Sequence, residues 1–135
     1  EHDAWPGQQE VLALVGFLKA DAVEAAQLTG TDDLQKAARA LYELGPREIV
    51  LTHRDGVLVF DGSEFHAAGF HPRRLVGRSG RGDTCIAAYA CRRQQEQPAQ
   101  AAVWAAAVTS LKMESDGPFR RDRAAVEELI REKYA

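Results

Sequence analysis

The sequence predicts an α/β layer fold built around a mixed sheet. Three observations point there. Stretches of helical and of strand character alternate along the chain, which suits helices layered on a sheet. Three short apolar runs, around Glu48–Thr52, Val57–Phe60 and Glu64–Ala68, are separated only by turn residues, so part of that sheet is an antiparallel meander. The chain has 135 residues, 45% of them apolar, with a formal net charge of −3. That is enough apolar material for a real core, and residues 1–135 read as a single domain.

Each element has its own reason. Val11, Leu14, Val15 and Leu18 fall on one face of a helix expected over 10–17. A short strand is expected around Leu18-Lys19-Ala20. Asp21 then caps a helix that runs to about Leu28, and Gly30 stops it. Asp32, with Gln35 three positions on, has the spacing of a capping box for the next helix, whose core face is Leu34, Ala37, Ala38, Leu41 and Leu44. Gly45-Pro46 ends it. Glu48–Thr52 is short and β-branched, as a buried strand should be. Arg54-Asp55-Gly56 turns the chain into Val57–Phe60, and Asp61-Gly62 turns it again. Pro72-Arg73-Arg74 opens an irregular run. A helix is expected from Asp83 to about Gln94, with Ile86, Ala87 and Ala90 as its inward face. Pro98 suits the first turn of the next helix, which reaches about Met113 and is nearly all small or apolar, hence buried on most sides or packed close to a ligand. Asp122 caps a last helix with Val126, Leu129 and Ile130 inward.

Composition narrows the function. The mild negative charge offers no basic stripe for nucleic acid. No apolar run approaches the roughly 20 residues of a membrane span, and the run from Val11 to Leu18 lacks the basic start of a signal peptide. Cys85 and Cys91, six apart on one expected helix, point in different directions and do not pair, which suits a reducing cytoplasmic setting. His2, His53, His66 and His71 have no metal-ligand spacing.

The stretch that carries chemistry is Gly80-Arg81-Gly82-Asp83-Thr84. Two glycines bring backbone N–H groups close to a ligand at the start of a helix, where those groups lack partners and carry partial positive charge. Such a place holds phosphate. A carboxylate there can take a proton from a hydroxyl while the amides steady a phosphoryl group, the two needs of phosphoryl transfer to an alcohol. Asp83 is thus the candidate general base, and Gly80, Arg81 and Gly82 belong to the candidate anion hole. The same residues also suit an ordinary loop ending in an N-cap aspartate.

Three stretches in order give context: 19–30, with Asp21, Glu24 and Leu28-Thr29-Gly30; 48–59, with Thr52 and Gly56; and 80–84. Together they resemble the C-terminal half of the ribokinase (PfkB-type) family of carbohydrate kinases. The resemblance runs from Leu18 to Phe119. It implies the three-layer α/β/α sandwich of that family, here its nucleotide-binding, catalytic half, and transfer of the γ-phosphate of ATP to a hydroxyl of a small sugar or polyol. Asp21 and Glu24 match the family's Asn-x-x-Glu stretch, so Mg2+ held indirectly through water is implied there. Thr52 and Gly56 would lie by the nucleotide's phosphates, and Ala106, Ala107 and Ser110 by the adenine. Gly117 stands in the family's terminal glycine turn. Departures from the family pattern are Arg81 for alanine, Gly77 for aspartate, Asp21 for asparagine and Arg54 for glycine. A complete family member is about twice as long, so the N-terminal half is expected to be absent. A cut sheet would then leave an edge that invites self-association or the missing half. The alternative is a non-catalytic α/β module, derived from a kinase, that binds a nucleotide or a protein.

Overall fold

The computed structural model describes residues 16–76, 81–114 and 122–134. Among them the order is β1 (Phe17–Asp21), α1 (Ala22–Thr29), α2 (Leu34–Tyr42), β2 (Glu48–His53), β3 (Gly56–Phe60), β4 (Phe65–Gly69), α3 (Arg81–Arg93), α4 (Pro98–Lys112) and α5 (Arg123–Lys133). The sheet order is β1-β2-β3-β4. β1 runs parallel to β2, with Ala20 opposite Leu51 and Asp21 opposite Thr52. The next two connections are short turns, so the sheet is mixed, as the sequence indicates. The chain divides into two compact units: Glu1–Arg54 with Leu58–His66, and Asp55–Val57 with Ala67–Ala135.

In the first unit α1 and α2 pack on the β1–β2 pair. Asp21 ends β1 and caps α1, and Gly30 closes that helix in the left-handed conformation (φ 78°), which a residue with a Cβ adopts only at a cost. Ala37, Ala38 and Leu41 of α2 meet Ile49 and Leu51 of β2, with Leu58 and Phe60 beside them. Phe60 stacks on Phe65 at 4.6 Å and meets Tyr42 edge-on at 5.3 Å. The Arg39 guanidinium lies 5.6 and 5.1 Å from the Phe60 and Phe65 ring centres. It caps this aromatic edge electrostatically.

In the second unit α4 packs against α3 and α5. Pro98 takes the first helical position, where a missing N–H costs nothing. Ala101, Ala102, Ala105, Ala106 and Ala107 are all buried, as a helix of small residues demands. Ala107, Val108 and Leu111 form a core with Val126 and Leu129 of α5. Asp122 caps α5, its Oδ1 accepting from the Ala125 amide at 3.0 Å.

Several expectations need correction. Phe17 and Leu18 belong to β1, so they cannot end the helix expected over 10–17; residues 1–15 lie outside the described residues. The cap of α2 is Asp33, whose Oδ1 accepts from the Lys36 amide at 3.0 Å, rather than Asp32. The Thr31 hydroxyl accepts from the Asp33 amide at 3.2 Å, which keeps Asp33 outside the helix. The inward face of α3 is Cys85 and Tyr89, both fully buried, while Ala87 is exposed. Tyr89 has far more apolar surface to bury than any alanine, so it sets the rotation of the helix. Cys85 and Cys91 form no disulfide, the first being buried and the second exposed.

Candidate active site

In the first unit, Asp21 and Thr52 lie on one rung at the C-terminal ends of adjacent parallel strands. Ligands of open α/β sheets bind at that edge. Thr52 is 2% exposed. Asp21 and Glu24 close a capping box: the Glu24 amide donates to Asp21 Oδ1 at 2.8 Å, and the Asp21 amide donates to Glu24 Oε1 at 2.9 Å. Lys19 Nζ stands 3.9 Å from the same Glu24 oxygen. Each carboxylate keeps a second oxygen outside the box. The pairing of Asp21 with Thr52 follows from the parallel register, which sequence reasoning did not assign.

In the second unit, Arg81, Gly82 and Asp83 form the first turn of α3, and Asp83 is exposed. The first amides of a helix have no partner within it, so this turn presents N–H groups beside a carboxylate. The Arg81 guanidinium lies 5.9 Å from the Phe70 ring centre, and its Nη1 is buried without a hydrogen-bond partner among the described residues. Phe70 and His71, just after β4, connect this turn to α4. The His71 amide donates to Ser110 Oγ at 2.8 Å, while the Ser110 hydroxyl donates to the Ala106 carbonyl at 2.7 Å. The Tyr134 hydroxyl donates to the Gly69 carbonyl and stands 3.4 Å from Ser110 Oγ. Burial pushes the Tyr134 phenol above its ordinary pKa, and the Ser110 hydrogen bond only partly opposes this. Ala106, Ala107 and Ser110 are fully buried.

Gly56 opens β3 against β4. A Cβ there would collide with the Ala68 carbonyl oxygen and would sit 2.9 Å from Gly69 Cα. This glycine is required by the sheet itself. Gly80 and Gly117 lie outside the described residues. Sequence reasoning missed Phe70 and Tyr134 and read His71 only as a loop residue. No spacing signalled them, because they meet α3 and α4 through the tertiary fold.

A third cluster joins Asp61, Glu64 and His66. Asp61 Oδ1 accepts from the amides of Ser63 and Glu64 at 2.8 and 2.7 Å, and Oδ2 lies 2.8 Å from His66 Nε2. Burial raises the Asp61 carboxyl, but these partners outweigh it and hold the pKa at about 2. The cluster closes the turn between β3 and β4.

Comparison with known proteins bears on the fold. No family model matches the chain. A cytidine kinase of Thermococcus kodakarensis is 37% identical over 78 residues, which are 56% of this chain and 28% of that protein. A pyrophosphate-dependent kinase in the ribokinase family, solved with a pyrophosphate analog and myo-inositol, is 40% identical with a TM-score of 0.80, covering 92% of this chain and 45% of that one. Ribokinase of Arabidopsis thaliana, solved with ribose and ATP, is 25% identical with a TM-score of 0.81, covering 90% and 43%. The chain therefore spans less than half the length of these relatives. It is ribokinase-like in sequence and fold, resembling kinases that act on sugars, polyols and nucleosides. No helix among the described residues is long and apolar enough to cross a membrane.

Proposed function

We propose that this sequence carries the catalytic, nucleotide-binding half of a ribokinase-like kinase, which transfers the γ-phosphoryl group of ATP to a hydroxyl of a small sugar or related polyol. The observation that carries the reading is the first turn of α3, where exposed Asp83 stands among helix-start amides behind Arg81-Gly82. As the substrate oxygen attacks the phosphorus, Asp83 takes its proton, and the bond to the leaving ADP oxygen breaks. The amides of Arg81, Gly82 and Asp83, with Gly80, hold the charge on the phosphoryl oxygens; losing one such donor typically costs about 3 kcal/mol of barrier. Thr52 and Gly56 border the phosphates, and Gly117 the nucleotide.

The donor set at the β1 end fits Mg2+ bound through water. Asp21 and Glu24 offer only oxygen, and each keeps one carboxylate oxygen outside the capping box. Bound there, Mg2+ would neutralise donor phosphate charge. We place the sugar contacts in the part of the whole protein that matches the rest of its relatives. β1 pairs on one side only among the described residues, so its other edge would seat a strand of that part or of a second copy. Cysteines left as thiols at Cys85 and Cys91 suit the cytoplasm.

One observation favours a second reading of the donor. Ala106, Ala107 and Ser110, the residues assigned to adenine, are fully buried, and the Ser110 hydroxyl is engaged by the His71 amide and the Ala106 carbonyl. They offer a purine no open face. Pyrophosphate, the donor named for the 40% identical kinase, needs none.

The test uses the whole protein that contains this sequence, with ATP or pyrophosphate as magnesium complexes and with ribose, myo-inositol or cytidine as acceptor. Asp83→Asn is expected to lower turnover by about 10²-fold or more while donor affinity changes little. Turnover within about threefold of the parent, a change far below general-base loss, removes Asp83 from the mechanism.

A further inference from the structure

The second unit holds a cavity of about 500 Å³ remote from the proposed base, Asp83. It lies at the last turn of α3, against the first half of α4 and the C-terminal part of α5. Arg92 and Asp83 are nine residues apart on α3, so about 14 Å of helix separates the cavity from the proposed base.

The cavity has an apolar body and an uneven set of charges. Val103, Trp104 and Ile130 supply the body. Arg92 lies over the Trp104 ring, 4.2 Å from its centre, and its Nη2 donates to Glu96 at 3.2 Å. Glu127 is held by Arg123 at 3.4 Å. Each acid of the lining thus has its own arginine. One cation is left over. Arg131 is exposed, lines the cavity and makes no ion pair among the described residues. The volume lies within the usual range for small-molecule pockets, roughly 300–1,000 Å³.

We propose that this cavity is a binding site for a small organic monoanion: a carboxylate carried on an aromatic ring or short apolar chain. Its charge meets the exposed guanidinium of Arg131, and its apolar part covers Val103, Ile130 and the free edge of Trp104. A dianion or a phosphate would lack enough cations, and a neutral hydrocarbon would gain nothing from Arg131. The site does not depend on the kinase reading.

The experiment uses the full 135-residue chain carrying Trp5→Phe, which leaves Trp104 as the sole tryptophan. Its emission is followed while 3-phenylpropionate is added into the millimolar range. A saturable change is expected. The neutral analogue 3-phenylpropanol should bind at least about tenfold more weakly, the scale of one lost charge-assisted bond. Arg131→Gln should weaken 3-phenylpropionate by a similar factor without moving the thermal midpoint. Absence of saturable change, equal binding of the alcohol, or an Arg131→Gln chain that binds as its parent does would each overturn the proposal. So would emission that depends on protein concentration alone, since a second copy would then fill the cavity.

Discussion

Gly56→Ala should cost this protein more stability than any other single methyl added at a described glycine with φ below zero. The added Cβ meets backbone only: the Ala68 carbonyl oxygen far inside contact distance, Gly69 Cα at 2.9 Å and the Ala68 carbonyl carbon at 3.2 Å. No flexible side chain can swing away, so β3 and β4 must part. Overpacking of this kind costs about 1–3 kcal/mol. Separation also lengthens neighbouring ladder hydrogen bonds, at about 1 kcal/mol each. Buried Val57 and partly buried Gly69 sit at the same place, so contacts weaken on both sides. The total is about 3–4 kcal/mol, or a fall in melting midpoint of roughly 10–20 °C for a domain of this size. Gly16→Ala is the control, because nothing lies within 4 Å of its added Cβ. Thermal unfolding followed by circular dichroism compares the two. A Gly56→Ala midpoint within a few degrees of the parent, or equal to that of Gly16→Ala, would refute the reasoning and would free Gly56 for a purely ligand-related role.

Other outcomes follow from the same structure. The Asp61 carboxyl is held at about 2 against an ordinary 3.8, so its stabilising effect is complete above the ordinary value and is lost as pH falls through 2. With the side chain a fifth exposed, solvent screening reduces this to about 1 kcal/mol. The stability gap between the parent and Asp61→Asn in urea unfolding should narrow below about pH 4, and a constant gap would contradict the assignment. Tyr134→Phe strips the Gly69 carbonyl of its donor and should cost about 1–2 kcal/mol, measured by urea midpoint; an unchanged midpoint would mean that water replaces the phenol. The 135-residue chain alone should release no sugar-dependent ADP or phosphate, because a base and an anion hole act only on an alcohol held in line. Turnover by a monomer of this chain, in the kinase range of about 1–100 s⁻¹, would overturn that expectation.

Local chemistry made much of the fold legible before the structure. The strands expected over Glu48–Thr52 and Val57–Phe60, from short β-branched runs joined by Arg54-Asp55-Gly56, are observed as Glu48–His53 and Gly56–Phe60; Pro98 is marked by its fitness for a first turn and Asp122 by its cap. The errors lie where two residues compete for one role. Asp32 and Asp33 are both good caps, and the Thr31 hydroxyl decided between them. On α3 the small face of Ile86, Ala87 and Ala90 looked inward, but Tyr89 had more surface to bury. In the site, residue type and order pointed to Asp83, Asp21 and Thr52, since helix starts and strand ends are local features. Phe70, His71 and Tyr134 were not legible. They meet α3 and α4 across long sequence separations, as the His71–Ser110 and Tyr134–Gly69 bonds illustrate.

The alanine-rich α4 also bears on how this sequence can drift. Eleven of its fifteen residues are buried, among them five alanines. A valine or leucine at Ala105 or Ala107 would have to push neighbouring helices apart, while glycine would loosen the helix by about 1 kcal/mol. Serine would add a hydroxyl, and Thr109 shows the condition for keeping one there: its Oγ1 donates back to the Ala105 carbonyl at 2.7 Å. Larger, smaller and more polar replacements are therefore all penalised at these positions, and tolerated variation on α4 should concentrate at exposed Ala99 and Gln100.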